Sequence, residues 1–256
     1  MLRYHILASG STGNLTLIQT PDTNILVDCG LSGKKTSEKL KEINLSLEDI
    51  DLLLITHRHS DHTKGLPQLS KVIKPSLSKI LYSNIQDKVS SLQTPLLFSS
   101  NERFSFKDVE IMPVKVSHDC FDPVCFVITF KKSKIAVISD LGETNPILEK
   151  EVHGADYVIM EANYDFKLLS KSSRPYFLKN RILSNKGHLS NKSSGQFLSK
   201  IYTSHLKEIV LIHLSQDCNT PEKALQTIKE IFYEKNIYFD HFQVAGPNGL
   251  VKESVA

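Results

Sequence analysis

Tryptophan is absent from this chain of 256 residues, and cysteine is scarce. The four cysteines, Cys29, Cys120, Cys125 and Cys218, are widely separated and match no strong zinc or redox spacing, so we expect free thiols. No apolar run approaches the roughly 20 residues that a membrane helix needs. The opening residues MLRYHILASGSTGN also lack the apolar stretch of a secretory signal. These absences argue against disulfide-rich secreted proteins and membrane-spanning proteins, and they predict a cytoplasmic protein.

Neither sign of charge is in large excess. The formal net charge is +3, too small to indicate nucleic-acid binding unless the positive residues are clustered. Hydrophobic residues make up 40% of the chain and charged residues 23%, as in ordinary soluble domains, and a chain of this length can bury a large core. Composition therefore does not indicate a function, which has to be inferred from local motifs.

Strand-like and helix-like patterns alternate along the chain. Short apolar runs predict strands at residues 4–9, 15–19, 24–27, 51–55, 79–82, 109–116, 124–130, 134–139, 155–161 and 208–213. Helices are predicted at 34–43 and at 221–233, the second with Thr220 as its N-cap and proline in its first turn. Because no repeat, low-complexity tract or linker interrupts this pattern, we predict a single α/β domain spanning residues 1–256.

The stretch THRHSDHTKG, residues 56–65, directly follows the apolar run LLLI. In extended backbone His57 and His59 project to the same side and can reach one ion, while Asp61 and His62 follow and can face a second. A polar surface loop would account for one histidine but not for three histidines and an aspartate in the order HxHxDH. Imidazole and carboxylate groups suit zinc, manganese or iron(II), so the sequence predicts a metal-binding loop.

Three further polar residues follow apolar runs elsewhere. His118 follows the run in VKVSHD, Asp140 the run in AVISDLG, and His213 the run in IVLIHLS. Open α/β folds place ligands at the ends of their strands, so these three complete the predicted metal ligands. A single histidine at a strand end is often only structural, but three such placements after an HxHxDH loop favour metal binding.

A basic segment without any aspartate or glutamate extends from Phe166 to Lys207. Its positive residues are Lys167, Lys171, Arg174, Lys179, Arg181, Lys186, Lys192, Lys200 and Lys207, interleaved with Tyr176, Phe177, Phe197 and Tyr202. These charges exceed the net charge of the chain, which favours a groove for a polyanion with aromatic rings for stacking on bases. The predicted nucleic-acid contacts are Lys171, Arg174, Lys179, Arg181, Lys186 and Lys192. The alternative is a set of solvated helices whose aromatic residues lie in the core.

His188 lies in the polar, turn-like stretch RILSNKGHLSN. On a loop beside metal ions it can hold a phosphate or donate a proton to a leaving oxygen. An unpaired surface histidine is the alternative.

In combination these motifs resemble the metallo-β-lactamase superfamily, whose α/β fold is an αββα sandwich with a dinuclear metal site. The stretches ILVDCG, THRHSDH, SHD, SDLG and LIHLS occur in that family's order. The resemblance implies two divalent ions, Zn²⁺ or Mn²⁺, of which one is held by His57, His59 and His118 and the other by Asp61, His62 and His213, with Asp140 bridging. It also implies that Asp28 supports the site without being a ligand.

Within the superfamily, the chain is most similar to the YycJ/WalJ-type exonuclease-like proteins. LASGSTGN, VDCGLSGKK, EANYD, GHLSN and HLSQDCNTPEKA carry this resemblance. It implies a cytoplasmic 5′→3′ DNA exonuclease linked to DNA repair, which hydrolyses phosphodiester bonds with water activated at two metals. Asp61 would hold or deprotonate that water. As in related tRNA-processing enzymes, His188 would protonate the leaving oxygen, with Glu161 as its carboxylate partner.

Other functions of the same fold stay open at this point. An RNA-processing nuclease, a small-molecule phosphodiesterase or a thioesterase would use the same ligands. A non-catalytic regulatory interaction protein is disfavoured, because a scaffold needs no open metal coordination position.

Overall fold

The computed structural model describes residues 1–250, which divide into two compact units. The first comprises Met1–Pro113, Cys120–Val124 and the chain from Ala245, and the second comprises Val114–Asp119 and Cys125–Val244. Each unit contains strands and helices, as predicted for an α/β chain. The single domain expected over residues 1–256 stays a prediction, and its last residues, 251–256, lie outside the described chain.

The first unit is built on a six-stranded sheet whose strands lie in chain order. They are β1 (Arg3–Ala8), β2 (Leu15–Gln19), β3 (Asn24–Val27), β4 (Leu52–Leu54), β5 (Pro75–Ser78) and β6 (Leu96–Phe98). Strands β1 to β3 pair antiparallel, and β3 to β6 pair parallel. An antiparallel hairpin of β7 (Phe104–Phe106) and β8 (Val109–Lys115) also begins in this unit. The central strand β4 is entirely buried leucine, as expected for a strand covered on both faces.

Short helices follow several of these strands: α1 (Gly33–Lys41), α2 (Ser60–Thr63), α3 (Leu66–Leu69) and α4 (Lys79–Ile85). The predicted strand at residues 79–82 is wrong, because these residues form the start of α4. Strand β5 ends at Ser78, whose hydroxyl accepts a hydrogen bond from the Leu81 amide at 3.1 Å. This N-cap satisfies one of the otherwise unpaired amides of a helix start, a signal that the apolar run KILY concealed.

The core of the first unit is aliphatic. Its fully buried members include Leu7, Leu17, Leu26, Leu40, Leu53, Ile55, Leu66, Leu69, Ile73, Leu77 and Leu81. Burying one such side chain contributes about 1.5–3 kcal/mol to folding. Because strand β4 and helices α1, α3 and α4 all contribute to this cluster, it anchors the chain on both sides of the HxHxDH loop, at β4 and at α3.

The second unit contains five strands in the order β13-β12-β11-β10-β9. They are β9 (Val124–Phe130), β10 (Ser133–Ile138), β11 (Tyr157–Glu161), β12 (Glu208–Ile212) and β13 (Phe242–Val244). Strands β9 and β10 pair antiparallel as a hairpin, and β10 to β13 pair parallel. The carboxyl ends of β10, β11 and β12 therefore meet at one edge of the sheet, where Asp140, Glu161 and His213 lie.

The helices of this unit are α5 (Pro146–Val152), α6 (Phe166–Lys171), α7 (Tyr176–Leu183), α8 (Asn191–Ile201) and α9 (Pro221–Glu234). The predicted helix at 221–233 is confirmed as α9, and the Thr220 hydroxyl caps it by accepting from the Lys223 amide. Helix α8 packs closely on α9 at Gly195, where an added Cβ would lie 2.7 Å from the Ile231 side chain. Within residues 1–250, no helix has the length and apolar character needed to cross a membrane. The four cysteines are free thiols, as predicted.

Candidate metal-binding residues

The HxHxDH loop of the first unit leads from β4 into the short helix α2. The His59 carbonyl accepts hydrogen bonds from the His62 and Thr63 amides, both at 3.0 Å, and from the Thr63 hydroxyl. The rings of His57 and His59 meet edge to face, with Nε2 of His57 3.1 Å from Nδ1 of His59. His57 and His62 are buried, and Asp61 is partly exposed. The loop therefore gathers its donor atoms in one place, as the spacing predicted.

Asp28 fixes the orientation of the His62 ring through a hydrogen bond to Nδ1. Nδ1 of His62 donates to Asp28 Oδ2 at 2.7 Å, and the Thr56 amide and hydroxyl donate to the same carboxylate at 2.9 Å. Such a carboxylate fixes the imidazole tautomer and leaves Nε2 as the electron-pair donor. The Asn14 side-chain amide donates to Nε2 of His62 at 3.0 Å, which agrees with this tautomer. The structure thus agrees with the supporting role implied for Asp28.

Asn14 also joins the glycine-rich turn after β1 to the metal loop. The backbone amide of Asn14 donates to the Asp61 carbonyl at 2.8 Å, and the backbone carbonyl of Asn14 accepts from the Gly30 amide at 2.9 Å. Asn14 and Thr56 were not among the site residues predicted from the sequence. Their signal is weak because each is a single polar residue at the end of a turn or strand.

Replacing Gly30 with alanine is expected to lower the free energy of unfolding by about 1–3 kcal/mol or more. An added Cβ would overlap the Asp61 carbonyl oxygen, and backbone cannot move aside as a flexible side chain can. Urea unfolding and metal content would measure the change. Gly246→Ala is the matched control, because nothing lies within 4 Å of the added carbon there. Equal stability and metal content in the Gly30→Ala and wild-type proteins would contradict this prediction.

In the second unit, two predicted ligands occupy a backbone conformation that side chains rarely adopt. Asp140, two residues after the end of β10, has φ 57°, and His213, directly after β12, has φ 56°. The left-handed region costs a non-glycine residue about 1–2 kcal/mol, although aspartate and histidine enter it more often than most. Such strain at the ends of buried strands is typical of functional sites.

Glu161, the last residue of β11, connects the polar groups at this edge of the sheet. Its Oε2 accepts from Nδ1 of His213 at 2.7 Å, from Nδ1 of His188 at 2.9 Å and from the Asp140 amide at 3.2 Å. Burial by itself would raise the pKa of Glu161, but the charges and hydrogen bonds of His188 and His213 lower it to about 2. The carboxylate is therefore ionised at neutral pH, and it orients both rings.

His188 contacts Glu161, as predicted from the sequence, and it also lies near Asp140. Its Nδ1 is 3.7 Å from Asp140 Oδ1. Although burial acts in the opposite direction, the charge of Glu161 and its hydrogen bond raise the pKa of His188. The alternative of an unpaired surface histidine is therefore wrong. A histidine whose pKa is raised by a neighbouring carboxylate is a candidate proton donor.

His118 is anchored within the same unit. Its Nδ1 donates to the Gly187 carbonyl at 3.1 Å, which leaves Nε2 as the donor atom for a metal. Nε2 is 3.8 Å from Asp140 Oδ1. Because Gly187 precedes His188, the GHLSN loop positions both histidines.

These donor sets fit divalent metal ions. In the second unit, Asp140, Glu161, His188 and His213 each offer one ligand atom, and these atoms lie within 4.8 Å of one another. Nitrogen and oxygen donors of this kind suit zinc or manganese. A histidine that binds a metal through one ring nitrogen usually donates a hydrogen bond from the other to a carboxylate or a carbonyl, as Nδ1 of His213 does to Glu161. The roles assigned to the seven predicted ligands stay predictions.

Parts of the basic segment are neutralised within the second unit. Arg174 pairs with Asp217 at 2.8 Å, and Arg181 with Asp119 at 2.6 Å. Lys200 pairs with Glu149, and Lys207 with Asp156. In the described chain, no carboxylate pairs with Lys171, Lys179, Lys186 or Lys192.

The aromatic residues of the segment divide into two groups. Tyr176 and Phe177, at the start of α7, are 79% and 74% exposed. Phe197 is buried in α8, and Tyr202 packs edge to face on Phe232. Of these four rings, the two at the start of α7 are the most open to stacking on bases.

A family model described as the β-lactamase superfamily domain matches residues 23–214. The chain belongs to this superfamily. A crystal structure of the metallo-β-lactamase-fold protein YhfI from Bacillus subtilis superposes with a TM-score of 0.76 at 15% identity, covering 96% of this chain and 97% of YhfI. The α/β metallo-β-lactamase fold predicted from the motifs is thereby confirmed.

Among its relatives are proteins named as nucleases. The chain is 32% identical to exodeoxyribonuclease YycJ of Bacillus anthracis, covering 91% of this chain and 90% of the relative. It is 25% identical to ribonuclease Z of Clostridium beijerinckii, covering 89% of this chain and 90% of that protein. The predicted resemblance to YycJ-type proteins and the prediction of a metallo-hydrolase are confirmed.

Proposed function

We propose that this chain is a metal-dependent phosphodiesterase that removes nucleotides from DNA, most simply as a 5′→3′ exonuclease. One observation carries the proposal: buried Glu161 holds His188 next to Asp140 and His213. His188 can donate a proton, and Asp140 and His213 are side chains of the type that bind metal ions. Such groups, placed together, can catalyse the cleavage of a P–O bond. A relative named exodeoxyribonuclease over nearly the whole chain supports DNA as the substrate.

The metal assignment is part of this proposal. His57, His59 and His118 would hold one divalent ion and Asp61, His62 and His213 a second, with Asp140 shared. His62 and His118 are buried, and a hydrogen bond to Nδ1 fixes the orientation of each ring, which fits this assignment. When bound, such ions lower the pKa of a coordinated water and stabilise negative charge that develops on the phosphate. Zn²⁺ and Mn²⁺ both suit these donors.

The protein groups would divide the remaining work. His188, oriented by its hydrogen bond to Glu161, would donate a proton to the departing oxygen. Asp61, partly exposed at the start of α2, accepts a hydrogen bond from the attacking water and orients it. Glu161 itself does not exchange protons near neutral pH, since its pKa is about 2, and it acts by positioning the two histidines.

The choice of DNA over RNA, the strand polarity, a cytoplasmic location and a part in DNA repair belong to the same proposal. The relative named ribonuclease Z makes RNA the competing substrate. An assay with purified protein, separately loaded with Zn²⁺ or Mn²⁺, on end-labelled single-stranded DNA, duplex DNA and matched RNA decides between DNA and RNA and reveals the strand polarity. Release of labelled mononucleotide from 5′-labelled DNA is expected. Faster cleavage of RNA would assign an RNA nuclease, and no turnover with either metal would contradict the proposal.

Lys171, Lys179, Lys186 and Lys192 are expected to bind the phosphates of the substrate. Each phosphate contact contributes about 0.9 to the slope of log K against log salt on duplex DNA. Replacing all four lysines with alanine should therefore flatten that slope by up to about 3 to 4 units. The slope would be measured by fluorescence anisotropy between about 50 and 200 mM salt.

A double variant, Lys200→Ala with Lys207→Ala, is the matched control for this series. It removes positive charge from the same segment, but both lysines already pair with carboxylates. A slope that is unchanged in the quadruple variant, or equally flattened in the control, would show that the segment does not hold the strand.

A further inference from the structure

Arg58 occupies the position between two predicted ligands of the HxHxDH loop, His57 and His59. Its side chain is exposed, whereas that of His57 is buried. Its guanidinium carbon lies 5.2 Å from the ring centroid of Phe121, a cation–π contact within the first unit. The Phe121 ring is itself 49% exposed, a large value for a phenylalanine next to a polar loop.

No carboxylate of the described chain neutralises the charge of Arg58. Within residues 1–250 its side chain makes no ion pair, and the contact with Phe121 is its one side-chain interaction. Arg174 and Arg181, by contrast, both donate to carboxylates. An arginine that stacks on an aromatic ring keeps its donors directed outward and available to an anion.

The backbones that carry Arg58 and Phe121 are both held in place. The Arg58 carbonyl accepts from the Thr63 hydroxyl at 3.2 Å, and the Val124 amide donates to the Thr56 carbonyl at 3.1 Å. Asp122, next to Phe121, accepts from the Ser100 hydroxyl at 2.9 Å. Because both loops are ordered in advance, a ligand would lose less binding free energy to ordering them.

We propose that Arg58 and Phe121 together bind one nucleotide of the substrate strand, next to the nucleotide whose bond is cleaved. The guanidinium takes its phosphate through paired N–H donors, and the base stacks on the exposed part of the Phe121 ring. This inference rests on the proposed nuclease function and names a contact that determines substrate affinity.

Arg58 differs from the predicted ligands beside it in exposure. Its side chain is exposed, whereas His57 is buried and His59 is partly buried. We therefore assign to Arg58 an adjacent phosphate of the same strand and not the cleaved phosphate.

Steady-state kinetics of the metal-loaded enzyme on a short single-stranded DNA tests this inference. Arg58→Ala should raise KM about tenfold with little change in kcat, and should reduce the salt slope of kcat/KM by about 1. Arg58→Lys keeps the charge but loses the planar fork, so we expect an intermediate KM. Phe121→Ala should raise KM by about five- to tenfold without changing the salt slope, because stacking involves no phosphate. Phe121→Tyr should behave as wild type.

Arg103→Ala is the matched control, since Arg103 is an exposed arginine of the same unit that pairs with Glu110 at 2.6 Å. Thermal unfolding of each variant would confirm that the exposed substitutions leave the fold intact. KM values for Arg58→Ala and Phe121→Ala equal to that of Arg103→Ala, in an enzyme that cleaves DNA or RNA, would overturn this inference alone. A wild-type protein that neither binds nor cleaves nucleic acid would overturn the proposed function, and the inference with it.

Discussion

Asp140→Ala is expected to abolish hydrolysis while leaving DNA binding nearly intact. The carboxylate is buried after β10, and it is proposed as the ligand shared by both metals. Metal ions commonly supply several kcal/mol of transition-state stabilisation, and each 1.36 kcal/mol corresponds to a factor of ten in rate. We therefore expect a fall in kcat of about a thousandfold or more. Single-turnover cleavage and anisotropy with the same oligonucleotide measure the two effects separately.

The backbone at Asp140 provides the control for this experiment. With φ 57° the residue occupies the left-handed region, where alanine adds strain that glycine avoids and asparagine tolerates better. Asp140→Gly and Asp140→Asn should therefore be as inactive as Asp140→Ala but more stable in urea. Wild-type turnover in the asparagine variant would rule out a required carboxylate at this position.

Glu161→Gln is expected to produce the other large loss, because it removes the charge that orients both His188 and His213. Substitution of such a supporting partner typically lowers metal affinity by about 10- to 100-fold. Proton donation by a positioned side chain contributes about 10²- to 10⁴-fold to the rate. The Glu161→Gln protein should therefore lose metal affinity and kcat together. Metal titration and a pH–rate profile at saturating metal distinguish the two losses.

Two variants make this result specific to Glu161. His188→Ala should lower kcat with little change in metal content, since His213 still donates to Glu161. Glu208 is another buried glutamate, at the end of strand β12 that is remote from His213. The Glu208→Gln protein should therefore retain activity. A Glu161→Gln enzyme with the kcat and metal affinity of the Glu208→Gln control would refute the positioning role. Because Glu161 and His188 are in contact, their combined substitution should cost less than the sum of the two effects.

Most of the fold followed from local patterns. Residues 15–19, 24–27 and 124–130 were predicted as strands with the bounds that the structure shows, because short apolar runs between turns leave little choice of register. Residues 79–82 were mispredicted, because the run KILY fits either a strand or a helix and only the Ser78 cap decides. The HxHxDH loop was likewise visible, since its donors lie within six positions and directly follow a buried strand.

Contacts between residues distant in the sequence determined how the site residues come together. Glu161 meets His213 because β11 and β12 pair in parallel with Glu161 opposite Ile212, a register that neither strand encodes by itself. Arg174 pairs with Asp217, 43 positions away, and Arg181 pairs with Asp119, 62 positions away, so neither positive charge is unpaired as the basic segment suggested. The sequence by itself determined which chemistry this protein carries, because side-chain type and strand-end position are local properties. Only the tertiary structure decided which groups act together, since a hydrogen bond between distant residues exists only after the sheet has aligned them.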